Sequence, residues 1–172
     1  MVTDNGEGQI MVLGADWSDG IILDEAKAVL AFLRLRAVEL CTWLVGKART
    51  EYLDPIRDHR KDVVVMITPG QFLKLGPSCS VAIFLALLKL FFGCEIKKGV
   101  AVTGVLSFSG YILRVSDVAD KANGLLQQGI DLVVAPHGNR NDAVEYASAL
   151  DWGKVRFVKT VVDVLELTVE GE

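Results

Sequence analysis

Leu75-Gly76-Pro77-Ser78-Cys79-Ser80 stands immediately before the apolar run Val81–Phe92. A Gly-Pro pair is typical of a turn, and serine is favoured where a helix begins. The apolar run predicts a buried helix that ends at Gly93, because glycine readily adopts the left-handed C-cap conformation. The run includes Lys89 and is shorter than the roughly 20 residues that a membrane-spanning helix needs. The segment therefore predicts a serine at the N-terminus of a core helix.

Two interpretations of Ser78 follow from the residues alone. Serine is a common helix N-cap, so a capping role is the plainer one. The second is chemical: a small Gly-Pro approach lets a substrate backbone come close. The helix N-terminus also offers N–H groups and a positive dipole end near a developing oxyanion. The residues by themselves leave both interpretations open.

Composition narrows the class of protein. The chain has 172 residues, of which 51% are hydrophobic, and we expect one domain over residues 1–172. The net charge of −4 makes nucleic acid an unlikely partner and gives no attraction to anionic lipid, so we expect no membrane association. The polar residues 1–8 lack the pattern of a signal peptide. We therefore expect this segment to be flexible and the protein to be intracellular, in the cytoplasm or an organelle matrix.

The metal-binding and thiol residues indicate no cofactor site. Cys41, Cys79 and Cys94 are odd in number and lack C-x-x-C spacing, which favours buried reduced thiols. His59 and His137 lie in polar loops without ligand spacing, so we interpret both as surface histidines. We expect no metal and no cofactor in this chain.

Periodicity and turn residues predict the order of helices and strands. The predicted helices are Asp24–Val45, Ser78–Phe92, Asp117–Gln128, Asn141–Ala149 with Asn141 or Asp142 near its N-cap, and Val161–Val169. The predicted strands are Val63–Ile67, Ile130–Ala135, Phe157–Lys159, a hairpin of Gln9–Ala15 with Ile21–Leu23, and a pair of Val100–Phe108 with Tyr111–Leu113.

Three separated segments occur in the same order as three similar segments of a known protein family: Leu13–Ser18, Asp62–Ser78 and Ala101–Gly104. They resemble the G-L-A-W-T opening, the strand with its nucleophile loop, and the A-M-T-G segment of the C-terminal proteolytic domain of Lon proteases. The similarity continues to Thr168. It implies an α+β fold, a single compact Lon-proteolytic-domain-like structure with short mixed sheets and several packed helices.

The resemblance places Ser78 at the nucleophile position and Ala119 at the position of the catalytic lysine. In that family a serine hydroxyl attacks the scissile carbonyl, and a lysine amine removes its proton. The family's G-G-L-K-E-K is represented here by Ser116–Lys121, and the methyl group of Ala119 cannot accept a proton. The resemblance thus implies a serine endopeptidase domain for unfolded polypeptides that is impaired or inactive. Whether Ala119 is natural or introduced stays open.

Other residues are weaker candidates for the missing chemistry. Lys121 lies two positions on, which at about 100° per residue points it away from the direction of Ala119. Lys74 is more simply a solvated loop lysine, and Cys79 has no evident base. Thr103 matches a threonine near the family's dyad, where it could support the cleft, although a buried strand threonine is the plain alternative.

Further departures from the family pattern surround both positions. Leu75 replaces an acidic residue before the glycine, Ser80 replaces a glycine after the nucleophile, and Ser116-Asp117 replaces paired glycines. These changes indicate altered chemistry, whereas the retained Gly76-Pro77-Ser78 indicates a site still under selection.

The rival hypothesis is a non-catalytic module that uses the same fold for oligomerisation or partner docking, since a fold can outlive its chemistry. The resemblance implies a homo-oligomer, possibly a hexamer, in either case. The chain has no G-x-x-x-x-G-K-[ST] loop. ATP and Mg²⁺ would therefore act only through an ATPase region or partner outside this sequence.

Overall fold

The structure, a computed structural model, describes residues 9–13, 19–44, 62–66, 76–145 and 150–170. The chain divides into two compact units, residues 1–95 with 171–172, and Ile96–Glu170. The single domain over residues 1–172 stays a prediction. The expected flexibility of residues 1–8 concerns a segment outside the described residues.

The described residues of the first unit form two short strands, a 3-10 turn and two helices. Its elements are β1 (Ile10–Leu13), α1 (Asp19–Trp43), β2 (Val63–Met66), a 3-10 turn (Pro77–Cys79) and α2 (Ser80–Phe92). The two strands pair in parallel, with Ile10 opposite Val63. Helix α1 packs against α2, and the rings of Phe32 and Phe84 meet edge to face with centroids 6.0 Å apart. The helix pair forms the core of this unit.

The predicted N-terminal hairpin is wrong. Residues 21–23 belong to α1, which begins at Asp19, and β1 pairs with β2 instead. Ile22 is buried while Ile21 is exposed, and Ala26 and Val29 continue the buried face. A spacing of four and then three residues is helical, so the short apolar stretch is the first turn of an amphipathic helix.

Helix α2 ends where it was predicted to end and begins two residues later than predicted, at Ser80. It follows the Gly-Pro-Ser turn and ends at Gly93, which has the left-handed φ of 63°. Its buried residues include Val81, Phe84 and Leu88, and they lie on more than one face of the helix. An apolar helix buried on several faces belongs to a protein core.

The second unit contains a parallel sheet, an antiparallel pair and three helices. The parallel sheet has the order β3 (Val100–Val102), β6 (Leu132–Pro136), β7 (Val155–Val158), and the antiparallel pair is β4 (Val105–Leu106) with β5 (Ile112–Leu113). The helices are α3 (Val118–Gln127), α4 (Arg140–Glu145) and α5 (Val161–Thr168). Helix α3 covers the sheet through Val118 and Ala122, which pack with Val133, Ala135 and Val155.

The predicted pairing of Val100–Phe108 with Tyr111–Leu113 is correct only in its second half. Residues 105–106 do pair with residues 112–113. Val100–Val102 instead joins β6 in the other sheet. Between the two segments Gly104 has a φ of 152°, a backbone conformation that other residues rarely adopt, and it separates the strands.

The remaining helices confirm the predicted pattern with shifted ends. Gly129, at a φ of 86°, follows α3 as predicted. Helix α4 begins at Arg140, before the predicted start, and residues 146–149 lie outside the described part. Thr160 and Asp163 form a capping box at the start of α5. The fold class is α+β, as predicted. Within the described segments, no helix has the length and apolar character needed to cross a membrane.

Candidate functional site

The loop before α2 depends on the backbone of Gly76. Its φ is 150° and its ψ is 163°, a combination that side-chain-bearing residues rarely adopt. A Cβ built there would meet no atom of the described residues within 4 Å, so the requirement that these residues impose is conformational rather than steric. Pro77 then begins the 3-10 turn, where its fixed φ and missing N–H are well tolerated. This turn holds Ser78, half-buried, directly before α2.

Ser78 is not the N-cap of α2. The cap position is occupied by Cys79, whose side chain makes no capping hydrogen bond. Ser78 lies one residue earlier, inside the 3-10 turn, next to the positive end of the α2 dipole. The simple capping interpretation therefore does not describe the position of this serine.

The cysteines near this loop are not activated nucleophiles. Burial raises the pKa of the Cys79 thiol, and the negative charge of Glu25 raises it further. The Cys79 Sγ donates weakly to the Gly76 carbonyl oxygen at 3.9 Å. Burial also raises the pKa of Cys94 to about 11. The raised pKa values make both thiols poor nucleophiles at neutral pH. Cys94 is buried as predicted, whereas Cys41 and Cys79 are only partly buried.

The start of α3 has an unusual backbone. Asp117, its N-cap, has a φ of 56° and a ψ of 37°. It is the one non-glycine residue with positive φ in the described part of the chain. Aspartate tolerates the left-handed region better than most residues. Asp117 therefore has a backbone conformation that glycine adopts without strain.

Ala119 lies in the first turn of α3 and lines a cavity of about 580 Å³. The described residues around this cavity come from the end of β5 onward and from α4: Arg114, Val115, Ser116, Asp117, Val118, Ala119, Asp120, Asp142 and Glu145. Ala119 is thus one of the uncharged residues in a cavity lining that also contains charged side chains.

Lys121 is committed to the turn that precedes α3. Its Nζ donates to the Ser116 carbonyl oxygen at 2.8 Å, and its backbone N–H donates to the Asp117 carbonyl oxygen at 3.0 Å. It is not among the described residues that line the cavity. These contacts support the prediction that Lys121 does not replace the missing base.

Thr103 and Ala119 both lie in the second unit, whereas Ser78 lies in the first. Thr103 follows β3, is buried, and donates its backbone N–H to the Val134 carbonyl oxygen at 3.0 Å. This environment suits the plain interpretation of a buried strand-end threonine. Lys74, Leu75 and His59 lie outside the described residues.

A buried side-chain network near the cavity was not predicted. Asn139, fully buried, bonds to the backbone of Val115, and Asp142 joins Asn139 to Arg114. Asp142 lies in the first turn of α4, which agrees with the predicted position of Asn141 or Asp142 near the N-cap of this helix. Both of its carboxylate oxygens take part in this network. The one sequence signal was the spacing of Asn139 and Asp142, which lie three residues apart. This spacing does not reveal that Asn139 bonds to Val115, 24 residues earlier in the chain.

Metal-ligating residues do not converge in the described segments. His137 lies in the 3-10 turn after β6. No group of three or more His, Cys, Asp or Glu side chains in these segments could hold a metal ion.

Comparison with known proteins identifies one family. The model of the Lon protease (S16) C-terminal proteolytic domain matches residues 6–171, so the match spans both units. Lon protease 2 of Syntrophobacter fumaroxidans is 28% identical over 166 residues, which are 96% of this chain and 19% of that protein.

Two further relatives extend the match to a plant and to another bacterium. The peroxisomal Lon protease homolog 2 of Arabidopsis thaliana is 30% identical over 167 residues, 96% of this chain and 18% of that protein. The Lon protease of Paraburkholderia phytofirmans is 32% identical over 133 residues, 76% of this chain and 16% of that protein. The chain thus spans less than a fifth of the length of these relatives.

Proposed function

Because the chain belongs to the Lon protease C-terminal proteolytic domain family, we propose that it is a Lon-type serine peptidase domain with an incomplete catalytic dyad. Ser78 is the nucleophile position and Ala119 is the general-base position. One observation carries this proposal. Ala119 lines the cavity, and Asp117, just before α3, has a left-handed backbone conformation that is typical of glycine.

The proposed chemistry is acyl transfer through the Ser78 hydroxyl. The serine oxygen attacks a peptide carbonyl while a base removes its proton, and the peptide C–N bond then breaks as the base gives that proton to the leaving amine. Water hydrolyses the resulting acyl-enzyme, which releases the carboxylic acid and restores the Ser78 hydroxyl. The N–H groups at the start of α2 would stabilise the oxyanion. A general base contributes about 10² to 10⁴-fold to such a step. Without one, the domain is an impaired or inactive endopeptidase.

No neighbouring side chain in the described part of the second unit replaces the lysine amine in this proposal. Lys121 donates to the Ser116 carbonyl. Arg114 cannot be deprotonated in a protein. The Asp142 carboxylate accepts hydrogen bonds from Arg114 and Asn139. Thr103, which is buried after β3, supports the cleft in this proposal.

The proposed substrates are unfolded polypeptides, and the proposed assembly is a homo-oligomer, possibly a hexamer. ATP and Mg²⁺ would act through an ATPase region or partner rather than through this domain. The similarity to relatives named as Lon proteases supports these proposals, and the chain spans less than a fifth of the length of those relatives.

A second candidate function is a non-catalytic scaffold for oligomerisation or partner docking. Ala119 favours it, because the side chain that performs proton transfer is lost while the helix around it is retained. Asp117 favours it as well, since a substitution there leaves the backbone conformation in place. In this second candidate function, the fold is preserved although the general base is absent.

The deciding experiment compares cleavage of a fluorescent unfolded protein by the chain as given and by its Ala119→Lys variant. The peptidase proposal predicts a gain of about 10²-fold or more from the restored base. The Ala119→Lys, Ser78→Ala double variant is the control and should show no gain. A folded Ala119→Lys variant that does not cleave would overturn the peptidase proposal and favour the scaffold.

A further inference from the structure

Asn139 makes a two-point contact with a single residue of the chain. Its Oδ1 accepts the Val115 backbone N–H at 3.1 Å, and its Nδ2 donates to the Val115 carbonyl oxygen at 2.7 Å. The side-chain amide therefore satisfies both backbone hydrogen-bonding groups of Val115. Asn139 is completely buried, so water cannot take over these bonds if the amide is removed.

Asp142 extends this contact to the neighbouring residue. Its Oδ2 accepts a second hydrogen bond from the Asn139 Nδ2 at 2.8 Å, and its Oδ1 accepts from the Arg114 Nη2 at 3.3 Å. Arg114 is largely exposed, which makes its ion pair weak. The buried amide of Asn139 is thus the stronger link between the start of α4 and residues 114–115.

The segment held in this way leads directly to residue 119. Residues 114–117 line the cavity, and Asp117 then turns the backbone through the left-handed region into α3. A left-handed turn of a non-glycine residue persists only where its surroundings determine it. Gly138, beside Asn139, permits the close approach, since a Cβ there would lie 3.3 Å from the Arg114 Cβ.

We propose that Asn139 is a positioning residue that holds residues 114–117 and so fixes the backbone of residue 119 at the cavity wall. This inference rests on the proposed function in one respect: position 119 matters for catalysis only if it is the base position. Asn139 itself acts through Val115 and does not line the cavity among the described residues.

The test is an NMR relaxation measurement on the chain as it is. The backbone order parameter of Ala119 should be near the rigid value of about 0.85, and Asn139→Ala should lower it below about 0.6. Thr168→Ala is the matched control, because it removes another buried polar side chain of the same unit, one that bonds only within α5. The control should leave the Ala119 value unchanged.

Two results would overturn the inference. One is an Asn139→Ala protein with an unchanged order parameter at Ala119. The other is an equal fall in the Thr168→Ala protein, which would show a general loss of rigidity. If Asn139→Ala does not fold, Asp142→Ala takes its place: it should produce a smaller fall confined to residues 114–119, and no fall would contradict the proposal.

A kinetic measurement in the Ala119→Lys background connects this inference to catalysis. A base displaced by about 1 Å costs about 10²-fold, so Asn139→Ala should lower kcat while KM stays the same. Failure of Ala119→Lys to cleave would count against the proposed peptidase and leave the relaxation result standing. An unchanged kcat in an active background would count against the positioning role alone.

Discussion

Gly76 and Asp117 each lie two residues before a position of the proposed dyad, and both have positive φ. Gly76, before Ser78, has a φ of 150°, whereas Asp117, before Ala119, has a φ of 56°. The first value lies where only glycine is comfortable, and the second lies in the left-handed region that aspartate tolerates. A residue other than glycine is therefore strongly strained at position 76 and only mildly strained at position 117.

The helices that follow these residues differ in the same sense. Helix α2 is buried along most of its length, whereas among the residues of α3 only Val118 and Ala122 are buried. A helix with a broad buried face is fixed by many contacts, and one with a narrow buried face depends on its flanking turns. We therefore expect the packing of α2, as well as the proposed chemistry, to constrain the Gly76-Pro77-Ser78 turn.

The largest expected effect tests this difference in anchoring. Phe84→Ala should destabilise the protein by about 3 to 5 kcal/mol, because it empties a fully buried site in α2. Val118→Ala, in α3, removes fewer buried atoms and should cost about half as much or less. Urea unfolding measures both changes. Equal losses would contradict the claim that α2 is the more firmly anchored helix.

The next effect concerns the glycine of the nucleophile turn. Gly76→Ala should cost about 1 to 3 kcal/mol, because alanine is strained at this φ although the space is open. In the Ala119→Lys background the same change should reduce any cleavage through a displaced Ser78. Gly20→Ala is the control: Gly20 is helical, has open space, and should be neutral or stabilising. Similar losses from both variants would remove the special status of Gly76.

A smaller, pH-dependent effect belongs to the second unit. Burial opposes ionisation of Asp163, but hydrogen bonds from the Thr160 and Lys159 backbones and the Thr160 side chain outweigh it and lower the pKa of Asp163. A lowered folded pKa gives stability that is present above the ordinary value of 3.8 and is lost as pH falls through the folded value. Asp163→Asn should therefore cost about 0.5 to 1 kcal/mol near neutral pH.

Unfolding curves near neutral pH and in acid measure this effect. The difference between the parent and the Asp163→Asn protein should shrink below about pH 4. A difference that is constant with pH would show that the α5 capping box contributes through shape alone. In that case the second unit would lose its predicted pH dependence.

Local patterns predicted much of the fold, and long-range geometry accounts for the errors. The apolar run and Gly93 marked α2 correctly, because both signals lie within the helix or next to it. The hairpin failed because the parallel partner of β1 lies more than 50 residues away, beyond any turn signal. Short apolar stretches such as residues 21–23 suit a strand and a helix equally well.

The candidate site was predictable only in part for the same reason. The resemblance proposes Ser78 and Ala119 as site positions. The glycine pair that it sets against Ser116-Asp117 is the one hint of a left-handed conformation there, since most aspartates have negative φ. The bond of Asn139 to the Val115 backbone joins residues whose neighbourhood exists only after β6 and α4 have packed. Roles that depend on such contacts require the structure.

The last prediction tests whether the backbone of Asp117 is strained, and it does so through small changes in stability. Asp117→Gly should stabilise the protein by about 0.5 to 1 kcal/mol, because glycine has no Cβ penalty at a φ of 56°. Asp117→Ala should destabilise it by about 1 kcal/mol, and Asp117→Asn should lie between the two. The Asp117 side chain makes no capping hydrogen bond, so none is lost in this series.

At low salt, the Asp117 carboxylate interacts favourably with the dipole at the N-terminus of α3. Asp117→Gly removes this interaction, and the loss opposes the expected gain in stability. Unfolding at about 1 M salt, where the screening length is ~3 Å, removes most of that term. The order glycine, asparagine, aspartate, alanine under these conditions would show that Asp117 is held in a strained conformation that its surroundings impose. A glycine variant no more stable than the parent would mean that aspartate bears no strain there, and that the base side has diverged at no conformational cost.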